Sequence, residues 1–246
     1  MDHVYCAIMF PSRFWRIMIR GIPYTLRYSR RAKRLSLQVV PGEVRVTAPP
    51  GASISVIDKF VRSRTRWVTE KLAYFASVVP PFIPSGFIHG SEVTVLGRKT
   101  ILQLSENASE VERFIERNGI LYAYLPRGSD LTLAVAKWLD ELLLSHVKGI
   151  AGKYSHLGLV PSGIRLRTAR TRWGSCSPQG KIMINRMLVH APMIVVEYVV
   201  VHELVHLRHR NHSKKFWKTV KSIQGDVKPH KQWLRLQGAY LLNRTP

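Results

Sequence analysis

The stretch "YVVVHELVHLRHRNHSKKFW", residues 198–217, constrains this chain more than any other. It sets His202, Glu203, His206, His209 and His212 directly behind a run of valines. Such a run belongs inside a protein, where imidazoles are costly unless they find partners. On a helix, residues i and i+4 lie on one face a turn apart, so His202 and His206 can grip a single ion. Glu203 stands beside the first of them. This is the H-E-x-x-H pattern of zinc peptidases, in which the glutamate serves as general base.

A catalytic zinc takes three protein ligands and keeps a fourth position open. No glutamate follows Glu203, so a downstream glutamate cannot be the third ligand within this chain. His209, His212, His230 and Asp226 are the downstream candidates. His212 comes ten residues after His202, the spacing of the metzincin motif H-E-x-x-H-x-x-G-x-x-H. The metzincin glycine is replaced by His209, so the turn falls elsewhere, with Asn211 as the candidate left-handed stopper. If the helix instead continues, His209 lies on the ligand face. Three ligands on one straight helix cannot surround an ion tetrahedrally.

The rest of the chain divides in two by character. "RLSLQVV" and "EVRVTA" alternate as strands across a "PGE" turn, and "SEVTVLGRKTILQLSE" and "GILYAYLPRG" read as further strands. "SVIDKFVRSRTRWVTEKLAYFA" has helical spacing. From Asp130 a long amphipathic helix follows, capped by Ser129 or Asp130. "GIRLRT" and "KIMINRML" (181–188) alternate as strands, and Pro192 opens a helix expected to reach about Arg210. Ser213 can cap "KKFWKTVKSI", and "HKQWLRLQGAYLL" closes the chain. The class is α+β: a strand-rich N-terminal part over 21–128, then a helix-rich, zincin-like catalytic part over 129–246 with an active-site helix and short antiparallel strands. Residues 1–20 read as an N-terminal extension.

Charge enters as the third constraint. The chain has 38 Lys and Arg against 15 Asp and Glu, a formal charge of +23. Residues 13–71 hold 14 basic and 3 acidic side chains, and residues 165–235 hold 15 and 3. Uneven positive charge of this size concentrates polyanions, nucleic acid first among them. A generally basic surface is the plainer reading. No apolar run approaches the ~18 residues of a membrane helix. Cys6 and Cys176 form no disulfide framework, which fits a reducing compartment and makes the cytoplasm the expected location.

Several motifs in one order resemble a known family. Thr171 to Ser177 (T-R-W-G-S-C-S), Gly180 to Asn185, Tyr198 to Leu207 and Asn211 to Trp217 look like the YgjP-like metallopeptidases, relatives of the SprT-like proteases. The resemblance implies that His202, His206 and His212 are zinc ligands and that Glu203 is the catalytic residue. The activity it implies is zinc-dependent endopeptidase hydrolysis by a metal-activated water, acting on a protein or peptide substrate. Tyr198, one turn before His202, is a candidate oxyanion donor, although a helix tyrosine is also an ordinary core residue. The strand 181–188 is a candidate edge for an extended substrate. Trp173, Phe216 and Trp217 read as core anchors, and His190 and His230 as surface or capped histidines. Some SprT-like relatives act on proteins crosslinked to DNA, which the charge would suit. The competing function is a basic nucleic-acid-binding protein with a structural or vestigial zinc site; a structural site would not need Glu203 and favours cysteine.

Overall fold

The computed structural model describes residues 8–9, 14–19, 22–78, 86–106 and 111–243. The chain forms two compact units, Met1–Val79 and Pro80–Pro246. It is an α+β protein with a strand-rich N-terminal part, six helices among the described residues, and short mixed sheets. Among those residues no helix is long and apolar enough to cross a membrane.

In the first unit, β1 (Ile8–Met9), β2 (Phe14–Ile19), β3 (Ile22–Tyr28), β4 (Ser36–Val40) and β5 (Glu43–Ala48) make one sheet in the order β1-β2-β3-β5-β4. β3 and β5 run parallel and the other pairs antiparallel. The segment read as an extension thus supplies two strands. Tyr24, Leu26, Val44 and Val46 bury one face of the sheet against Ile57, Val61 and Val68. The sequence suggests one helix after residue 53; the structure has two, α1 (Ile54–Arg62) and α2 (Thr65–Ala76). Local side chains interrupt the ladder there. Ser63 Oγ donates to Phe60 O at 2.9 Å, the Arg64 guanidinium reaches the same carbonyl at 3.2 Å, and Thr65 Oγ1 donates to Arg62 O at 3.0 Å.

The second unit opens with β6 (Glu92–Val95), β7 (Arg98–Glu106), β8 (Arg113–Arg117) and β9 (Ile120–Leu125), ordered β6-β7-β9-β8. The sequence places its division at residue 129, but these four strands share a core with the helices that follow. α3 (Leu131–Lys153) begins at Asp130, whose carboxylate accepts the Leu133 amide, and buries Val135, Leu139, Leu143, Val147 and Ile150 at helical spacing. β10 (Gly163–Arg167), β11 (Gly174–Cys176) and β12 (Lys181–Asn185) follow, then a 3₁₀ turn (Arg186–His190) and α4 (Met193–Val205). α5 (Lys214–Gln224), capped by Ser213, and α6 (Lys228–Asn243) complete the unit.

Two features position α4. Its residues are apolar around most of the circumference, so it is buried on nearly all sides, with Val195, Val196, Val199, Val200, Val201, Leu204 and Val205 in the core. Its N-terminal end is braced by the β6–β7 turn. Leu96 and Gly97 both have positive φ, as a two-residue hairpin turn requires. The Leu96 amide donates to Val189 O at 2.6 Å, and a Cβ on Gly97 would lie 2.8 Å from Pro192 Cα. His190, expected as a surface or capped histidine, is buried there and its Nδ1 meets Thr94 O at 2.6 Å. Burial holds this imidazole below its usual pKa despite the bond to Thr94.

Candidate metal centre

α4 carries His202 in its last turn and is capped by His206 one turn later, with ring centroids separated by 5.0 Å. The helix stops at Val205, well before the expected Arg210. Leu207, Arg208 and His209 close a tight turn by donating their amides to Leu204, Val205 and Val205. Asn211 is not left-handed, so it is not the stopper. The early exit returns the chain across the ligand face. His212 Nε2 lies 2.9 Å from His202 Nε2, and one ring nitrogen from each of His202, His206 and His212 falls within 4.8 Å of the others. Ligands about 2.0–2.1 Å from a tetrahedral zinc stand ~3.3 Å apart, a separation this cluster accommodates.

The protonation pattern suits a metal. His206 Nδ1 donates to His209 O at 2.9 Å, which leaves Nε2 with its lone pair toward the cluster. His209 gives the site this carbonyl and not its ring, whose Nε2 lies 3.3 Å from Thr219 Oγ1. Burial, then His206, His212 and Lys231, push His202 down to about 3, so it is neutral as a ligand must be. Burial and the same two neighbours, His206 and Lys231, lower His212. Phe216, fully buried, forms the floor: its ring centroid is 4.9, 4.6 and 4.8 Å from those of His202, His206 and His212. Trp217 stacks on His212 at 5.6 Å and 22°.

Glu203 points from α4 toward β11 and is 6% exposed. Burial raises its carboxyl to about 7, against a lowering pull from Arg172. Its place depends on Gly174: a Cβ there would sit 2.6 Å from Glu203 Cγ and Oε1. β11 pairs with β12 alone among the described residues, whereas β12 lies between β10 and β11. The edge expected at 181–188 is therefore occupied on both sides, and the free edge near Glu203 belongs to β11. Tyr198 is buried, its ring 6.0 Å from His202 and 5.7 Å from His230. Burial, then the Glu203 carboxylate, push its hydroxyl up to about 12, so it keeps its proton. His230 is buried beside it, not on the surface.

Sequence reading finds the histidines and Glu203 by spacing and weighs His209 only as a ligand, but assigns no role to the three groups that hold the site. Besides Gly174 and the His209 carbonyl, Asn185 ties the loop before β11 to β12. Its Nδ2 donates to Ala169 O at 2.7 Å and Arg172 O at 3.0 Å, and its Oδ1 accepts the Met187 amide at 3.1 Å. A polar residue ending an apolar strand was the available signal.

A buried helix presenting paired histidines and a carboxylate, with a third histidine returned by a turn, defines a candidate metal-dependent hydrolase. The sequence model of the YgjP-like metallopeptidase domain matches residues 33–237, and the chain belongs to that family. It is accordingly a metallopeptidase, with a protein or peptide as substrate and a metal as cofactor. A solved structure similar to part of it is the metallopeptidase zymogen of Pyrococcus abyssi abylysin, with a TM-score of 0.30 and 25% sequence identity over 39% of this chain and 94% of that one. No curated protein matches the chain.

Proposed function

We propose that the protein is a zinc-dependent endopeptidase in which His202, His206 and His212 hold the ion and Glu203 moves the proton. The observation that carries this reading is the convergence of the three ring nitrogens within 4.8 Å beside a buried carboxylate. Three neutral imidazoles suit zinc and leave it an open position. Bound there, zinc would polarise the scissile carbonyl and lower the pKa of water. Glu203 accepts the proton of the attacking water, holds it in a dry setting, and delivers it to the leaving amine. The free edge of β11 can pair with an extended substrate through backbone hydrogen bonds, which favours weak sequence preference. Tyr198 keeps its proton and can donate to a developing oxyanion. The half-buried thiol of Cys176, unpaired, is consistent with a reducing compartment such as the cytoplasm.

Nucleic-acid contact is the secondary reading, favoured by ion pairing in the first unit. Glu43, Asp58 and Glu70 pair with Arg45, Arg62 and Arg66. Arg30, Arg31, Lys33 and Arg34 stand exposed in the turn between β3 and β4. That is a cluster suited to phosphates.

The deciding experiment measures zinc content and casein cleavage together. Glu203→Gln is expected to retain zinc and lose cleavage by at least about a hundredfold, while His206→Ala loses both. Glu203→Gln cleaving at the wild-type rate would refute the reading.

A further inference from the structure

We infer that Lys231 is a substrate-binding residue that receives a carboxylate of the peptide at the metal centre; this rests on the peptidase reading above. Lys231 lies in the first turn of α6 and is exposed. Its Nζ sits 3.4 Å from the ring centroid of Trp217. That same ring stacks on His212 at 5.6 Å and lies 5.7 Å from His202. The ammonium is therefore one aromatic ring away from two members of the triad.

The arrangement is electrostatically unfavourable as it stands. A cation beside a site built for a divalent cation is repelled by it, more strongly where water is scarce. Desolvation, then the positive charge of Lys221, lower the pKa of this ammonium. Among the described residues no ion pair involves Lys231. Asp226, the nearest acid in sequence, accepts the Lys228 amide at 3.0 Å. Cation–π contact with Trp217 holds the ammonium in this position and leaves its N–H donors for another partner. An anion that passes the edge of the Trp217 ring, within reach of both the ammonium and a metal held by the triad, would be attracted by both. The anion that peptides carry is a carboxylate, either from an Asp or Glu side chain near the scissile bond or from a free C-terminus.

The test uses zinc-loaded protein at about 150 mM salt, which screens the long-range field of the whole molecule. Quenched fluorescent peptides of one sequence carry Asp or Asn beside the cleaved bond, each with a free or an amidated C-terminus. The expected result is about a tenfold higher kcat/KM for the peptide bearing the recognised carboxylate. The Asp/Asn and acid/amide comparisons separate the two sources. Lys231→Met should bring the members of the pair to parity, Lys231→Glu should reverse the preference, and Lys231→Arg should keep it. Binding is measured by fluorescence anisotropy on zinc-loaded Glu203→Gln, where adding Lys231→Met should weaken the acidic peptide about tenfold and the neutral one little. Parity in the wild type, with cleavage that still depends on Glu203, overturns the role of Lys231 and leaves the peptidase reading intact. Discrimination that survives Lys231→Met also overturns it. If no peptide is cleaved, the peptidase reading fails, and equal affinities in the anisotropy arm overturn the role of Lys231 separately.

Discussion

Gly174 works by what it lacks. Because no Cβ stands there, the Glu203 side chain lies directly against β11. Gly174→Ala is expected to displace the carboxylate by a fraction of an ångström to an ångström and cost on the order of a hundredfold in kcat/KM. The atoms nearest that Cβ all belong to Glu203 and none to a histidine of the cluster, so zinc content should stay at the wild-type level. Full activity in Gly174→Ala would show that the close approach has no catalytic consequence. The second expectation at this scale concerns His212, the exposed member of the histidine cluster. His212→Ala should weaken zinc binding by about a hundredfold or more while leaving the fold in place, as circular dichroism and metal titration would show. The triad and Glu203 were legible in sequence because their separations are fixed by helix geometry or a short turn. The Gly174 contact was not, because it depends on how β11 packs on α4.

Among the elements, Asn185 ties the end of β12 to the loop before β11. Its side chain satisfies two carbonyls of the loop 169–172 and the Met187 amide of the 3₁₀ turn that precedes α4. Removing it strands those partly buried groups, so Asn185→Ala should destabilise the unit by about 1–3 kcal/mol. The check is a urea midpoint that falls with an unchanged m value. Alternation in "KIMIN" and "GIRLR" made both strands readable from sequence. Their parallel pairing was not readable, since Gly163 joins Lys181 only through the intervening β11 segment. The split between α1 and α2 was hidden for another reason: the apolar spacing runs on, while Ser63, Arg64 and Thr65 divert the carbonyls they touch. Helix α4 likewise ends where turn bonds outcompete propensity, so the polar run to Arg210 misplaced its end.

At the scale of the molecule, charge and pH give the clearest expectations. If the first unit contacts single-stranded nucleic acid, replacing Arg30, Arg31, Lys33 and Arg34 with Gln should reduce the slope of log K against log salt by about three. No binding at about 50 mM salt would end that reading. His190 governs part of the stability in acid. The unfolded chain takes up a proton near 6.5 that the buried imidazole refuses. Its contribution is therefore complete above pH 6.5 and is lost as pH falls below it, by at most about 1.4 kcal/mol per pH unit. His190→Gln should show a shallower decline of denaturation midpoint between pH 6.5 and 5; parallel curves would assign the decline to other groups. The fold class was legible across the whole length, because alternation and helical spacing change near residue 130. Which strands serve which unit was not, because the core that unites β6–β9 with α3 and α4 is built from residues distant in sequence. The brace at the β6–β7 turn has a last consequence. A hairpin tip is ordinarily where a chain can grow or vary without harm. Here the tip abuts Pro192 at the head of α4, so one inserted residue would tilt the lever that carries the histidines. A surface turn has thereby surrendered its freedom to change length.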